Sequence, residues 1–263
     1  MKKTRAIFIC ILTFLSLLIN AFSASALSKE YSWYCVRSGN LQPKVTSEEL
    51  LINKYGGISI DRSVNDASEK KILYITFDAG YENGNVERIL NVLKEEDVTA
   101  AFFLLDNIIL KNTDLVTRMS EEGHMICNHT KNHKNLCNES RESIKSDIEA
   151  LEKIYKTATG KEMEKYFRFP KGVYSEAALE IVESLGYKSV FWSFAYDDWD
   201  NNRQPDKEKA ISKILSNTHN GAIILLHPTS EINAEIMPIL IKEWRSMGYE
   251  FGSLKDIGRS TTE

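Results

Sequence analysis

The sequence predicts an α/β fold, a distorted parallel (β/α) barrel of about seven strands, and three features of the chain carry that prediction. From Lys71 onward, short apolar runs alternate with stretches whose apolar residues recur at helical spacing. Several helical stretches close on a glycine, at Gly123, Gly160, Gly186 and Gly248. Asp78, His129, Arg168, Asp198 and His227 each stand at or just beyond the C-terminal end of a different apolar run. In a barrel those ends converge on one rim, whereas an open sheet gathers only the strands beside its switch point.

The elements follow in order. Residues 72–77 (ILYITF) read as the first strand, and 85–96 as a helix with Val86, Ile89, Leu90 and Leu93 on one face. Residues 98–105 are almost continuously apolar, as a strand covered on both faces should be. A helix over 114–122 leads to a short strand at 124–127, and a long helix over 139–159 turns Ile144, Ile148, Leu151, Ile154 and Tyr155 inward. A strand at 166–169, a helix over 175–185 and a strand at 189–194 come next. After a polar loop the chain continues with a helix over 206–216, a strand at 222–226, a helix over 233–247 and a final strand at 249–251. Ahead of all these, residues 27–70, with Trp33, Tyr34 and a helical stretch at 47–55, read as an arm packed on the outside of the domain.

The first residues have the form of an export signal. Lys2, Lys3 and Arg5 precede a mostly apolar 17-residue run over 6–22, and Ala24-Ser25-Ala26 offers a small-x-small cleavage site. The expected organisation is a signal peptide over 1–26, an arm over 27–70 and one domain over 71–258, with action outside the cytoplasm. A retained membrane anchor is the alternative, because the run is nearly long enough to span a bilayer. The signal holds three basic and no acidic residues, so 30 of the 33 Lys+Arg remain against 37 Asp+Glu, a formal charge of −7. That balance argues against nucleic acid as a partner. Cys35, Cys127 and Cys137 remain after export, an odd number that cannot make a full disulfide framework; a Cys127–Cys137 bridge and reduced, buried thiols both stay open.

The most informative stretch is Cys127-Asn128-His129-Thr130-Lys131-Asn132-His133. A spacing of four puts two imidazoles on one side of a helical turn, a geometry that a divalent metal such as zinc accepts. A solvated polar turn is the plain alternative, since lysines and asparagines surround the pair. Asp78 ends an apolar strand and precedes Gly80 and Gly84, which let backbone approach a ligand, although a turn aspartate would look the same.

Taken in order, Asp78, His129-Thr130-x-x-His133, Arg168-Phe169-Pro170-Lys171-Gly172, Asp198-Trp199 and Leu225-Leu226-His227 resemble the five motifs of polysaccharide deacetylases of the NodB-homology type, carbohydrate esterase family four. The likeness runs from about Lys71 to Ile257. Glu82-Asn83-Gly84 and Asn233-Ala234-Glu235 are similar to the PdaA-like branch, the delta-lactam-biosynthetic de-N-acetylases of spore-forming bacteria. The resemblance implies a NodB-type barrel and hydrolytic de-N-acetylation of N-acetylmuramic acid in peptidoglycan. It places the reaction in muramic delta-lactam formation in the spore cortex, on glycan strands already stripped of peptide by an amidase. The implied location is the cell envelope or the forespore intermembrane space.

By the same resemblance a divalent metal ion, zinc or another divalent cation, sits on His129 and His133. Asp78 is then the base, His227 the acid, Arg168 the partner that keeps Asp78 ionised, and Asp198 the residue that orients His227. Lys171, Tyr174 and Trp199 are expected to bind substrate, the two aromatic residues as walls of a sugar groove. The chain also departs from the pattern. Ala79 stands where the family usually has a metal-binding aspartate, which implies weak metal binding, and Ala195 replaces the first Asp of the fourth motif. Asp106 is a candidate substitute ligand. Deacetylation of another acetylated polysaccharide, or glycan binding with impaired catalysis, are the alternative readings.

Overall fold

The computed structural model describes residues 29–258, so the expected signal peptide lies outside the described residues. The chain opens with β1 (Glu30–Ser32), α1 (Ser47–Lys54) and β2 (Lys71–Ala79), followed by α2 (Asn85–Glu95) and β3 (Ala101–Leu104). Two short helices, α3 (Asp106–Lys111) and α4 (Thr113–Glu121), lead to β4 (Met125–Asn128), α5 (Arg141–Thr159) and β5 (Tyr166–Phe167). Then come β6 (Val173–Ser175), α6 (Glu176–Ser184), β7 (Lys188–Ser189), α7 (Lys207–Leu215), β8 (Ala222–Leu226), α8 (Glu231–Ser246) and β9 (Tyr249–Phe251).

Seven strands make one parallel, curled sheet in the order β7-β5-β4-β3-β2-β8, with β9 also on β2. The expected fold class holds. Beyond β7 the chain leaves regular pairing but still closes the curl: the Ser193 N–H donates to the Ile223 carbonyl at 2.9 Å, and Leu225 N–H to Phe194 at 2.9 Å. Residues of the arm fill the remaining seam, where Ile58 pairs with Val190 and Ile60 with Ala222. Gly221 is required at this seam, because a Cβ there would lie 2.2 Å from the Asp61 carbonyl oxygen.

Strand pleating decides which side chains can reach the rim. Leu73, Ile75 and Phe77 of β2, Phe102 and Leu104 of β3, and Ile224 and Leu226 of β8 face outward into one cluster with the buried faces of α2 and α8. The alternate residues Ile72, Tyr74, Phe103, Cys127 and Ile223 fill the inside. Extending that period of two along each strand puts Thr76 and Asp78, His129 and His227 on the inner face. Their convergence follows from the pleat.

The helices end as their sequences dictate. Ser140 caps α5 by accepting the Ser143 N–H at 3.1 Å, and Gly160 stops it at φ 72°. Three features were not foreseen. Helix α3 has six residues, too short to show a helical period. The expected strand at 189–194 is regular only in β7, because its continuation is shared between the arm and β8. β1 pairs antiparallel with β6, outside the main sheet. Among the described residues none of Cys35, Cys127 and Cys137 is in a disulfide, and the latter two are buried, so the Cys127–Cys137 alternative is not realised.

Candidate active site

Asp78 is the last residue but one of β2, with its side chain 11% exposed beneath the rim. Arg168 follows β5 and is fully buried. Its Nη1 donates to Asp78 Oδ1 at 2.8 Å and its Nη2 to Thr76 Oγ1 at 2.9 Å, while Nε donates to the Val190 carbonyl at 3.1 Å. The guanidinium also lies 4.0 Å from the centre of the Phe103 ring. Burial alone would push the Asp78 carboxyl up, but the Arg168 charge and the neighbouring imidazoles outweigh it and hold the group below the usual carboxylate value. Asp78 therefore stays ionised, with Oδ2 free of the guanidinium.

His129 leaves β4 with its N–H donated to the Leu104 carbonyl at 3.1 Å. Its Nδ1 hydrogen is directed at the Arg168 carbonyl at 2.9 Å, which leaves the Nε2 lone pair facing Asp78 Oδ2 at 3.5 Å. His133 is brought alongside, ring centre to ring centre 5.0 Å. A helical turn does not do this. Residues 129–134 form a bent loop in which Thr130 (φ 68°) and His133 (φ 52°) are left-handed. The loop is tied by the His133 N–H to Thr130 Oγ1 at 2.9 Å and by the Lys131 N–H to Asp147 Oδ2 of α5 at 2.9 Å. Burial lowers both imidazole pKa values, with His133 reaching about 4, helped by the charge of its neighbour His129.

Neutral imidazoles suit a divalent ion, and that of His129 has its Nδ1 anchored by the Arg168 carbonyl. The donor set is nevertheless short: among the described residues no group of three His, Cys, Asp or Glu is gathered as a metal cluster. Ala79 lines the cleft and offers no donor atom. Asp106 starts α3 and is not among the residues lining the cleft, so it does not replace the missing carboxylate.

His227 stands just past β8, 28% exposed, with its Nδ1 hydrogen donated to Asp198 Oδ1 at 2.7 Å. Asp198 is buried, and its Oδ2 accepts the His227 N–H at 2.8 Å and Asn233 Nδ2 at 2.6 Å. Asn233 is fixed in turn by the Tyr196 hydroxyl, which donates to its Oδ1 at 2.5 Å. Burial would lower the imidazole pKa, yet the Asp198 carboxylate overrides it and raises the value above that of an ordinary histidine. The site thus holds an ionised carboxylate and a readily protonated imidazole.

Both groups line a cleft of about 740 Å³. His129, His133, Lys171 and Trp199 line it too, and Trp199 is 64% exposed. Tyr174 does not. It is completely buried behind the wall, where the β1–β6 pairing stacks it on Tyr31 at 5.4 Å. The aromatic walls are instead Tyr81, Trp192, Tyr196 and Trp199. Trp192 lies inside an expected strand with no local signal of its place, and Asn233 stands in the stretch similar to the PdaA-like branch, where nothing local ties it to Asp198.

Residues 65–190 match the polysaccharide deacetylase family. The chain is 38% identical to the peptidoglycan-N-acetylmuramic acid deacetylase PdaA of Bacillus subtilis, over 90% of this chain and 89% of that protein. The solved structure of Bacillus subtilis PdaA, a family 4 carbohydrate esterase, superposes with a TM-score of 0.81 at 36% identity, covering 87% of this chain and 97% of that one. A family 4 carbohydrate esterase from Bacillus anthracis superposes with a TM-score of 0.72 at 34% identity, covering 89% and 98%. The chain belongs to the polysaccharide deacetylases of carbohydrate esterase family four, in the PdaA-like group, and is a hydrolase of the de-N-acetylase type.

Proposed function

We propose that the domain over 71–258 removes the N-acetyl group of N-acetylmuramic acid in peptidoglycan strands, preparing the sugar for delta-lactam closure in spore cortex. The observation that carries this reading is the pairing of opposite protonation states across one cleft: Asp78 held ionised by Arg168, and His227 held protonatable by Asp198. The similarity to a protein named for N-acetylmuramic acid supports the choice of sugar. Asp78 Oδ2 takes a proton from the attacking water as it adds to the acetamide carbonyl carbon. His227 Nε2 then gives a proton to the nitrogen, the C–N bond breaks, and acetate leaves a free amine. Trp199 and Trp192 hold the sugar faces, and Lys171 contacts substrate.

A divalent ion would be held by His129 and His133, where it would supply Lewis-acid polarisation of the carbonyl and a more acidic water. With two imidazoles and Ala79, binding should be weak. Calorimetric titration of the metal-stripped chain should show binding lost in His129→Ala and tightened in Ala79→Asp. Tight wild-type binding with no gain from the aspartate would contradict this ligand assignment.

The chain acts outside the cytoplasm, at the cell envelope or in the forespore intermembrane space, after an amidase has removed the peptide. The export signal over 1–26 and the envelope substrate support that location; among the described residues no helix is long and apolar enough to cross a membrane. Acetate release from intact peptidoglycan, amidase-treated peptidoglycan and chitin oligomers tests the function. Release confined to the amidase-treated polymer is expected; release from chitin, or equal release from intact peptidoglycan, would replace the reading with a broader polysaccharide deacetylase.

A further inference from the structure

Lys171 is a non-glycine residue at φ 57° and ψ 10°, in the left-handed region that side chains with a Cβ rarely occupy. Such strain persists only where the surroundings impose it, and they do. The Gly172 N–H donates to the Phe169 carbonyl at 3.0 Å, and the Trp33 N–H to the Gly172 carbonyl at 2.8 Å. Gly172, itself at φ 66°, is packed so closely that a Cβ would lie 2.7 Å from the Trp192 ring. Trp33 Nε1 donates to the Trp192 carbonyl at 2.8 Å and locks the two together. The turn is thereby held rigid, with a lysine rather than a glycine at its strained position.

Lys171 lines the cleft together with His133. The carboxylates at the site are already committed. Asp78 is bound by Arg168, and Asp198 by His227 and Asn233. Arg168 is sealed beneath the floor, so among the described residues Lys171 is the one lysine or arginine on the cleft wall, and none of the ion pairs among those residues includes it. A glycan without negative charge would cover this ammonium and give nothing in return.

We propose that Lys171 forms an anion subsite for the free lactyl carboxylate of peptide-stripped muramic acid, and so makes the cleft selective for the acid over its amide. This rests on the muramic-acid reading above and adds the group that recognises the acid. The chemistry of the sugar sets the spacing: the lactyl ether is carried on the ring carbon next to the one that bears the acetamide. A sugar with its acetamide at His129 and His133 carries its lactyl group one substituent away, inside the cleft that Lys171 also lines. A lysine serves here as a mobile point charge, suited to a carboxylate on a short flexible arm. In peptide-bearing strands that carboxylate is a neutral amide, and the charge pair cannot form.

The test compares kcat/KM of the wild-type chain, Lys171→Met and Lys171→Arg on two polymers. One is amidase-treated glycan with free lactyl acids, and the other is the same glycan with those acids capped as methylamides. The wild type should prefer the free acid by roughly tenfold to a hundredfold, the worth of one hydrogen bond between charged groups. Lys171→Met should collapse that ratio toward one, mainly through KM, and Lys171→Arg should keep most of it. Thermal melting of each variant reports on folding. An unchanged preference in Lys171→Met, or an equal loss on both polymers, overturns the subsite alone. Absence of acetate release from the free-acid polymer by the wild type overturns the muramic-acid reading and the subsite with it.

Discussion

Asp78→Asn should lower turnover roughly 10²–10⁴-fold, the usual worth of a general base, while the fold is kept. Asparagine is nearly isosteric and can still accept from Arg168 Nη1, which now donates at 2.8 Å, so the floor of the cleft has no reason to collapse. What it loses is a place for the proton. The pH profile carries a second signature. In the wild type, kcat/KM should rise through a limb below the ordinary carboxylate range, because Arg168 and the imidazoles hold the Asp78 pKa down, and fall through a limb above the ordinary imidazole value, because Asp198 raises that of His227. The sign follows from the roles, since the base must be unprotonated and the acid protonated. Asp78→Asn should remove the acidic limb and keep the alkaline one. A variant with full turnover and both limbs intact would remove Asp78 from the mechanism.

Arg168→Met should cost both stability and activity. The guanidinium is completely buried, donates to Asp78, Thr76 and Val190, and stacks on Phe103. Methionine fills part of the volume but leaves the Asp78 carboxylate, the Thr76 hydroxyl and the Val190 and Phe191 carbonyls without that donor. Removing one partner of a buried pair costs about 3–5 kcal/mol, because the other charge stays behind. The remaining carboxylate should then titrate at a higher pH, since burial would no longer be opposed by the guanidinium. Denaturant unfolding should show the loss, and Asp78→Asn combined with Arg168→Met should recover part of it without recovering turnover. Equal stability of wild type and Arg168→Met would mean that the pair is decorative, and the case for a deliberately ionised base would fail.

The strand ends were legible because they obey a period of two. Ile72, Tyr74, Thr76 and Asp78 lie on one side of β2, and the same parity places His129 and His227, so finding the apolar runs was nearly enough to find the rim. The loop that joins His129 to His133 was legible in its residues but not in its shape. Between its two left-handed positions, the Lys131 N–H is held by Asp147, which belongs to a helix that the local sequence cannot see. Tyr174 shows the opposite limit. Its position after the third motif suggested a groove wall, whereas pairing with the distant β1 decides its direction and buries it against Tyr31. Asn233 and Trp192 serve the site from within a helix and an expected strand where nothing local ties them to it. Contacts between segments far apart in the chain set all three outcomes, and periodicity carries no information about such contacts.

The most direct test of the central claim is to locate the acetyl group that the purified chain removes. Amidase-treated peptidoglycan strands would be digested after reaction to disaccharides and their fragments mapped by tandem mass spectrometry. The account predicts acetyl loss on muramic acid, absent in Asp78→Asn and in His227→Ala, with the neighbouring glucosamine untouched. Acetyl loss on glucosamine, or undiminished loss in either variant, would contradict it.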